Sequence, residues 1–282
     1  MDRVRFLARC LVVVAAISAV AAASASASPP EFGRCVKLAA EKTGMHMRTM
    51  GFHGHYSNAT CTMASPEANG KYEWLPGVEK KHFTTVSKPG MKVVLQATLG
   101  GEMVCSNETS VGEYASPKLE LGIVVTLTGC EINGAPVTSS QAKGGPSETS
   151  PGEVVIEANE CELGVVATGA TPAQNKLGLS CGEEGEFAWL KWAGGYASEL
   201  ELRGWWFYAI KANMNMHMGM GAMPVLLRST QSKGLQTYDK FVEGPFEGLE
   251  SSMNGGLYWY PTALQLTALQ TNEEAVEANS VA

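Results

Sequence analysis

From residue 92 onward, the chain is a series of short segments in which apolar and β-branched side chains either dominate or alternate with polar ones. Between residues 199 and 203, for example, leucines alternate with charged side chains, a period of two that indicates a strand with one buried face. Gly, Pro and Asn separate the segments, as turn residues do. Many short strands at this spacing predict an all-β fold, either an antiparallel β-sandwich or a barrel. The predicted strands are residues 92–98, 102–109, 120–129, 153–161, 164–168, 176–181, 187–192, 199–211, 224–231 and 263–271.

The part of the chain before residue 91 has a different pattern. It contains irregular turns and four of the five histidines, with one weak helical segment at 36–43 that Gly44 would end. We expect a loop-rich, disulfide-closed N-terminal extension at 28–90, packed on a β-rich domain at 91–282. Within that domain, residues 134–152 are rich in Gly, Pro, Ser and Thr and are predicted to form an exposed loop.

The first 27 residues have the order of a secretory signal peptide. Three arginines lie in the first nine residues, an apolar run of 14 residues follows at 10–23, and Ala25 and Ala27 supply the small residues that precede a cleavage site. The run is shorter than the roughly 20 residues that a membrane-spanning helix needs. We expect cleavage near Ala27, with a cut after Ala25 as the alternative. The product would be secreted or extracytoplasmic and not inserted in a membrane.

The charge balance excludes several classes of partner and site. Removing residues 1–27 takes away three arginines and Asp2, which leaves 18 basic and 27 acidic side chains, a net charge of −9. Nucleic acid and anionic membrane surfaces both require clustered cations, so neither is expected as a partner. Asp239 is the one aspartate left, which excludes EF-hand loops and aspartic-protease dyads.

Six cysteines remain after cleavage, and none of them forms a CxxC pair that would suggest zinc or a redox site. An even number of cysteines in an exported chain predicts disulfides. The sequence leaves the connectivity open, although sequential pairing would close three loops of similar length. The six are Cys35, Cys61, Cys105, Cys130, Cys161 and Cys181.

Several short sequences occur in a fixed order along the mature chain: PEFGRC at 30–35, GKYEWLPG at 70–77, VGEY at 111–114, the stretch from KGLQ at 233–236 to FVEG at 241–244, and TNEE at 271–274. Together they resemble a large group of uncharacterised secreted proteins of actinobacteria, over nearly the whole mature chain. The resemblance implies an exported, β-rich fold. It implies no activity.

A methionine-rich segment gives the strongest indication of a ligand in the sequence. Met214, Met216, Met218 and Met220 alternate around His217, so in a strand four thioethers would project from one face and the imidazole from the other. Thioethers select Cu(I), which makes an extracytoplasmic copper-binding protein one hypothesis. The alternative is that the methionines fill gaps in the core, in which case no cofactor is implied.

Two other patterns resemble metal or catalytic sites. His53 and His55 would share one face of a strand, but the sequence names no third ligand for a metal. GLSCG at 178–182 matches the serine elbow of hydrolases, yet no helix follows it and no histidine comes after residue 217. Two glutamates in a cleft would support a hydrolase, but the sequence does not place such a pair.

Three aromatic clusters could stack on the sugars of a cell envelope: Trp189 with Trp192, the WWFY segment at 205–208 and the YWY segment at 258–260. Neighbouring residues of a strand face opposite sides of the sheet, so at least one ring in each cluster must leave the main core face. Exposed rings would support binding. Burial between two sheets, or beneath the N-terminal extension, is the alternative.

The sequence therefore predicts an exported, non-catalytic protein, structural or binding, that acts at the cell envelope or outside the cell. Cell-envelope components are its candidate partners. The copper-binding protein and a secreted hydrolase are the two alternatives, so the sequence favours a protein that is not an enzyme without deciding the point.

Overall fold

The computed structural model describes residues 30–43, 48–66, 69–77, 81–98, 101–140, 143–170, 174–193, 199–211, 225–242, 244, 248–253 and 255–279. Strands account for 66% of the described residues and helix for 1%, which confirms the predicted all-β fold. None of the helix in these ranges is long and apolar enough to span a membrane. In chain order the strands are β1 (Glu31–Lys37), β2 (Glu41–Thr43), β3 (Arg48–Gly51), β4 (Tyr72–Pro76), β5 (Lys81–Ser87), β6 (Val93–Ala97), β7 (Glu102–Cys105), β8 (Asn107–Ser116), β9 (Leu119–Thr128), β10 (Glu131–Ile132), β11 (Ala135–Ser140), β12 (Glu153–Ala167), β13 (Lys176–Trp192), β14 (Glu199–Lys211), β15 (Val225–Ser229), β16 (Gln231–Ser232), β17 (Leu235–Gln236), β18 (Leu249–Ser252), β19 (Tyr260–Asn272) and β20 (Glu277–Asn279).

Two closed rings of antiparallel strands form the body of the protein. The first ring follows the pairing order β5, β8, β9, β12, β13, β14, β15, β19 and returns to β5. The second ring follows β6, β7, β10, β11, β13, β14, β18, β19 and returns to β6. Because each ring closes on itself by hydrogen bonds, the barrel is the better description of the two predicted architectures.

Three long strands belong to both rings. In β19, residues 260–265 pair with strands of the second ring and residues 266–272 with strands of the first. β13 changes ring at an irregular stretch between Glu183 and Glu186, and β14 changes near Gly204. Gly185 and Gly204 have φ angles of 107° and 85°, which glycine adopts without the steric cost that other residues incur. The glycines therefore let single strands bend from one ring into the other.

Several predicted boundaries are wrong, and tertiary pairing explains each of them. The weak helical segment at 36–43 is mostly strand, because β1 is hydrogen-bonded on both sides, to β4 and to β20. The predicted loop at 134–152 contains β11, which pairs with β13. Residues 153–161 and 164–168 are one strand, as are 176–181 and 187–192. Long-range pairing thus continues strands through glycines that read as turns.

The N-terminal segment covers one end of the first ring. β1, β4 and β20 form a three-stranded sheet, and Phe32 on β1 is 2% exposed and packs edge-on against Tyr114 of β8, with 4.8 Å between ring centroids. Residues 81–87, which the sequence analysis counted in the extension, are strand β5 of the first ring.

The six cysteines pair sequentially: Cys35 with Cys61, Cys105 with Cys130, and Cys161 with Cys181. Cys161 and Cys181 occupy directly opposed positions of β12 and β13. Each disulfide stabilises the fold by roughly 3 kcal/mol, because it closes a loop and so lowers the conformational entropy of the unfolded chain. Three disulfides fit an extracytoplasmic protein.

Candidate functional site

Parts of β5 and β8 bury polar side chains and expose apolar ones, which is the reverse of the usual arrangement. Thr85, Glu108 and Ser110 are buried and line the interior of the first ring, whereas Val86 and Val111 lie outside with 48% and 50% of their surface exposed. Burying polar side chains while exposing valines costs free energy. Natural proteins break the pattern in this way mainly at functional or strained sites, so this wall of the ring is a candidate site.

Glu108 is held by the hydroxyls on this wall. Thr85 Oγ1 donates a hydrogen bond of 2.6 Å to Glu108 Oε1, and Ser110 Oγ lies against the same hydroxyl. Burial raises the pKa of the Glu108 carboxyl, although the hydrogen bonds from Thr85 and Ser110 act in the opposite direction. The second carboxyl oxygen, Glu108 Oε2, is buried without a hydrogen-bond partner.

Glu120 reaches the interior because of a bulge in β9. Gly122 has a φ of 61°, and the pairing of β8 with β9 loses its regular register there. Ile123 and Val125 are buried after the bulge, and Glu120 is buried before it. An uninterrupted alternation would place Glu120 on the opposite face from Ile123. The bulge changes the phase of the strand and turns the carboxyl inward.

The environment of Glu120 favours its neutral form. Its side chain is 1% exposed, and burial raises the pKa of the carboxyl to about 8, against the effect of a hydrogen bond with Gln270. Gln270 Nε2 also donates to the Tyr114 hydroxyl at 2.9 Å, and that hydroxyl donates to Asn272 Oδ1 at 3.0 Å. Burial, together with the nearby Glu120, raises the pKa of Tyr114. The network therefore holds Glu120 in place without offering it a cation.

The first ring encloses a small cavity of about 20 Å³, to which each of its eight strands contributes at least one side chain. Side chains divide the space so finely that it admits water-sized groups rather than a larger ligand. Three buried polar atoms of its lining have no hydrogen-bond partner, namely Glu108 Oε2, Glu120 Oε1 and Trp206 Nε1. Among the described residues, no lysine or arginine lines the cavity. Buried carboxyls without a counter-ion are most stable when protonated.

Glu108 and Glu120 lie at different levels of the ring. In the pairing of β8 with β9, Glu108 is opposite Leu127, whereas Glu120 is opposite Tyr114, six residues further along β8. Two-carboxylate glycoside hydrolysis needs the carboxyls about 5 to 10 Å apart on either side of a substrate. The enclosed cavity and the separate levels of these glutamates lend no support to that mechanism.

A second candidate site is a cleft on the outer surface, between β13, β14 and β18. It has a volume of about 310 Å³ and opens to solvent. Arg203 is one of its lining residues: Nη2 and Nε donate to Glu250 Oε2 at 2.6 and 2.8 Å, and the guanidinium stacks on Trp259, 4.1 Å from the ring centroid. The guanidinium is thus fixed on two sides. The cleft is lined by Glu184, Gly185, Arg203, Gly204, Trp205, Gly248 and Glu250.

Glycine at position 204 lets β18 approach β14 closely beside the cleft. A Cβ on Gly204 would lie 2.3 Å from the carbonyl oxygen of Gly248, closer than real side chains approach backbone. Both residues, and Gly185 on the bulge of β13, contribute only backbone to the lining. The cleft is therefore lined by backbone at its glycines and by the side chains of Glu184, Arg203, Trp205 and Glu250.

The loop that carries Trp259 is anchored by Lys143. Lys143 Nζ donates to the carbonyl oxygen of Gly255 at 2.9 Å and lies 3.3 Å from Glu201 Oε2 and 3.8 Å from Glu186 Oε2. Glu201 is 2% exposed, so its ion pair with Lys143 is shielded from solvent on one side. The anchor fixes the connection between β18 and β19 next to the cleft, which preorganises the Arg203–Trp259 stack.

The structure divides the predicted aromatic clusters between core and surface. Trp206 is buried in the first ring, while its neighbour Trp205 is half-buried and lines the cleft. In the YWY segment, Tyr258 is 62% exposed and Trp259 stacks on Arg203. Trp189 is partly buried on β13. The expectation that at least one ring leaves the core face is confirmed for the WWFY segment and for the YWY segment.

The structure describes only part of the predicted metal residues. Met214, Met216, Met218, Met220 and His217 lie outside the described residues, so the copper hypothesis stays a prediction. His55 Nδ1 is 2.8 Å from Glu73 Oε2 on the surface. Within the described ranges, no group of three or more His, Cys, Asp or Glu side chains could hold a metal ion.

The GLSCG segment is not a serine elbow, as its sequence context indicated. Ser180 lies inside β13, is 2% exposed and is followed by the disulfide-bonded Cys181, so the segment is a paired strand and not a strand-to-helix turn.

Sequence reasoning missed Glu108, Glu120, Arg203 and Glu250. Two signals were available for the glutamates: a glycine inside a strand pattern, which marks a bulge, and polar residues at alternate positions of β8. Arg203 and Glu250 are 47 residues apart, and no local pattern joins them.

No family model matches the chain, and no curated protein and no solved structure matches it either.

Proposed function

We propose that the protein is exported, is not an enzyme, and binds saccharides of the cell envelope through the cleft beside Trp205. The observation that carries the proposal is the combination of a half-buried indole with hydrogen-bonding side chains that the fold already holds in position. Affinity depends strongly on such preorganisation, because less side-chain freedom is lost on binding.

The lining of the cleft suits a sugar ring. A pyranose has an apolar C–H face and an edge of hydroxyl groups. The Trp205 indole can cover the apolar face, while the charged groups of Glu184 and Arg203 can form charge-assisted hydrogen bonds with hydroxyls. Where glycines line the cleft, no side chain projects into it, which leaves room for a sugar ring.

The charges favour neutral saccharides over anionic ones. The cleft holds two carboxylates and one guanidinium, and the mature chain is expected to carry a net charge of −9. Uronic acids and phosphorylated sugars would therefore be repelled. Since Glu250 is bonded to Arg203, the cleft offers one unbridged carboxylate, Glu184, which supports binding without catalysis.

The test is calorimetric titration of the protein purified from culture medium with short neutral oligosaccharides and, in parallel, with oligosaccharides of uronic acids. Trp205→Ala should weaken the binding of the neutral series about tenfold or more. Tyr258→Ala is the matched control, because this exposed aromatic ring is not part of the cleft lining. Equal affinity of the two variants, or a preference for uronic acids, would overturn the proposal.

Export has a separate test. Mass spectrometry of the intact protein from the medium should give a chain that begins near Ser28, as cleavage after Ala27 requires. A chain that is retained in the cells with residues 1–27 attached would contradict export and leave the cleft unaffected.

A further inference from the structure

A bulge in β13 presents Glu184 to the cleft. Glu183 and Glu186 lie opposite consecutive residues of β14, so the two residues between them, Glu184 and Gly185, have no cross-strand partner. Bulges of this kind change the direction of a side chain and occur often beside binding sites. Glu184 is exposed and belongs to the lining of the cleft.

The charges that flank the bulge are mostly negative. Glu183 accepts a hydrogen bond from the amide of Asn159, which carries no charge. Lys143 is divided between two carboxylates, because its Nζ lies 3.8 Å from Glu186 Oε2 and 3.3 Å from Glu201 Oε2. The bulge therefore carries an excess of negative charge, and the local potential attracts cations.

Within the lining of the cleft, the one cation is already paired. The guanidinium of Arg203 is bonded to Glu250. In the part of the chain that the structure describes, no lysine or arginine forms an ion pair with Glu184. The volume of about 310 Å³ is at the lower end of the range for small-ligand sites, so the cleft suits one sugar unit at a time.

We propose that the sugar unit this cleft prefers is an amino sugar with a free, protonated amine, an inference that rests on the saccharide binding proposed above. An ammonium group at the edge of a pyranose forms a charge-assisted hydrogen bond with the carboxylate of Glu184. The apolar face of the same ring remains available to the Trp205 indole. Acetylation of the amine removes its charge and with it the advantage over neutral sugars.

The test compares three β-1,4-linked trisaccharides that differ only at the C2 substituent: glucosamine, N-acetylglucosamine and glucose. Calorimetric titration at about pH 6 and low salt should give about fivefold tighter binding of the glucosamine trimer than of the other two. The advantage should shrink at about 0.5 M NaCl, because an exposed ion pair is screened by salt. Equal affinity for the three trimers would overturn the inference and leave saccharide binding intact.

Glu184→Gln should remove the preference for the glucosamine trimer and leave the affinity for the glucose trimer within about twofold. Glu102→Gln is the matched control, because it removes the same charge from an exposed position of β7 that does not line the cleft. The preference should persist in this control. A preference that survives in Glu184→Gln, or that is lost equally in both variants, would refute the assignment to Glu184.

A lysine tripeptide separates recognition of an amino sugar from general attraction of cations. It should bind more weakly than the glucosamine trimer, because it has no sugar ring to stack on Trp205. If the tripeptide binds as tightly, and Trp205→Ala does not weaken the binding of the glucosamine trimer, the cleft selects charge alone and the inference fails. If none of the three trisaccharides binds, the proposed function fails with it.

Discussion

The two rings share three strands but have opposite interiors. The first ring buries Glu108, Glu120 and Gln270 around its cavity, and the second is lined almost entirely by aliphatic side chains. Because β14 and β19 run through both, the chemistry changes along a single strand, from Leu202 to Tyr208 and from Leu264 to Gln270. The backbone pairing of these strands therefore does not depend on whether the interior of the ring is polar or apolar.

Trp206 and Val125 form the partition between the two interiors, since both line the polar cavity of the first ring and a small apolar void of the second. The indole nitrogen of Trp206 is buried without a partner. Its position at the boundary explains the presence of a large ring, which separates carboxyls from aliphatic surface.

Because their interiors differ in polarity, the two rings should contribute unequally to stability. Aliphatic burial in the second ring is favourable at any pH. Carboxyl burial in the first ring is tolerable only while the carboxyls are neutral. Stability measurements at two pH values should therefore distinguish the rings, and the three changes below are ordered by the size of their expected effect.

Glu120→Gln should have the largest effect, and only at high pH. The carboxyl has a pKa of about 8 in the folded protein against an ordinary value of 4.5, so the native state binds more protons than the unfolded state between these values. The free energy of unfolding of the unaltered protein is therefore highest below pH 4.5. It falls by up to about 5 kcal/mol as the pH rises to about 8. Urea unfolding at pH 4 and pH 9 should show similar stabilities at pH 4 and a more stable variant at pH 9.

The control for this change is Glu102→Gln, at an exposed position of β7 in the second ring. Its free energy of unfolding should equal that of the unaltered protein at both pH values. If Glu120→Gln and the unaltered protein lose stability in parallel as the pH rises, the carboxyl of Glu120 is not the buried neutral acid described above.

Leu264→Ala should cost about 3 kcal/mol at both pH values, because it enlarges an apolar void that cannot fully collapse. The measurement is again the free energy of unfolding in urea. Leu257→Ala, at a position with 75% exposure, is the matched change and should stay within about 0.5 kcal/mol. A loss for Leu264→Ala that grows with pH would mean that the second ring is coupled to the carboxyls.

Thr85→Val should cost about 2 kcal/mol, since it removes the hydroxyl that donates to Glu108 and leaves a second carboxyl oxygen unpaired. The loss should be larger at pH 9, because the ionised carboxylate depends more on that donor. Thr84→Val, at an exposed position of the same strand, serves as the comparison in the same unfolding experiment. Equal effects of the two changes would show that the hydroxyl of Thr85 does not support Glu108.

Much of the fold could be predicted from local pattern. β6, β9 and β14 were located to within one or two residues, because alternation and turn residues are local properties. β11 was missed, since its identity as a strand depends on pairing with residues 189–192 of β13. The helical prediction for 36–43 failed for the same reason, because β1 pairs with β4 and, at the other end of the chain, with β20.

The candidate sites were predictable only in part. Trp205 followed from the rule that adjacent aromatic residues face opposite sides of a sheet. The inward direction of Glu120 required the bulge at Gly122, and the cleft required Arg203 and Glu250 to become cross-strand neighbours.

The sequence by itself determined the β class and the even set of cysteines, because alternation and composition can be read without knowing which segments meet. Only the tertiary structure decided that eight strands close into each of two rings, that one ring is polar and the other apolar, and that a bulge turns Glu120 inward. The physical reason is that a strand has two faces and two edges. Its own residues establish the alternation, while its partners decide which face becomes the interior.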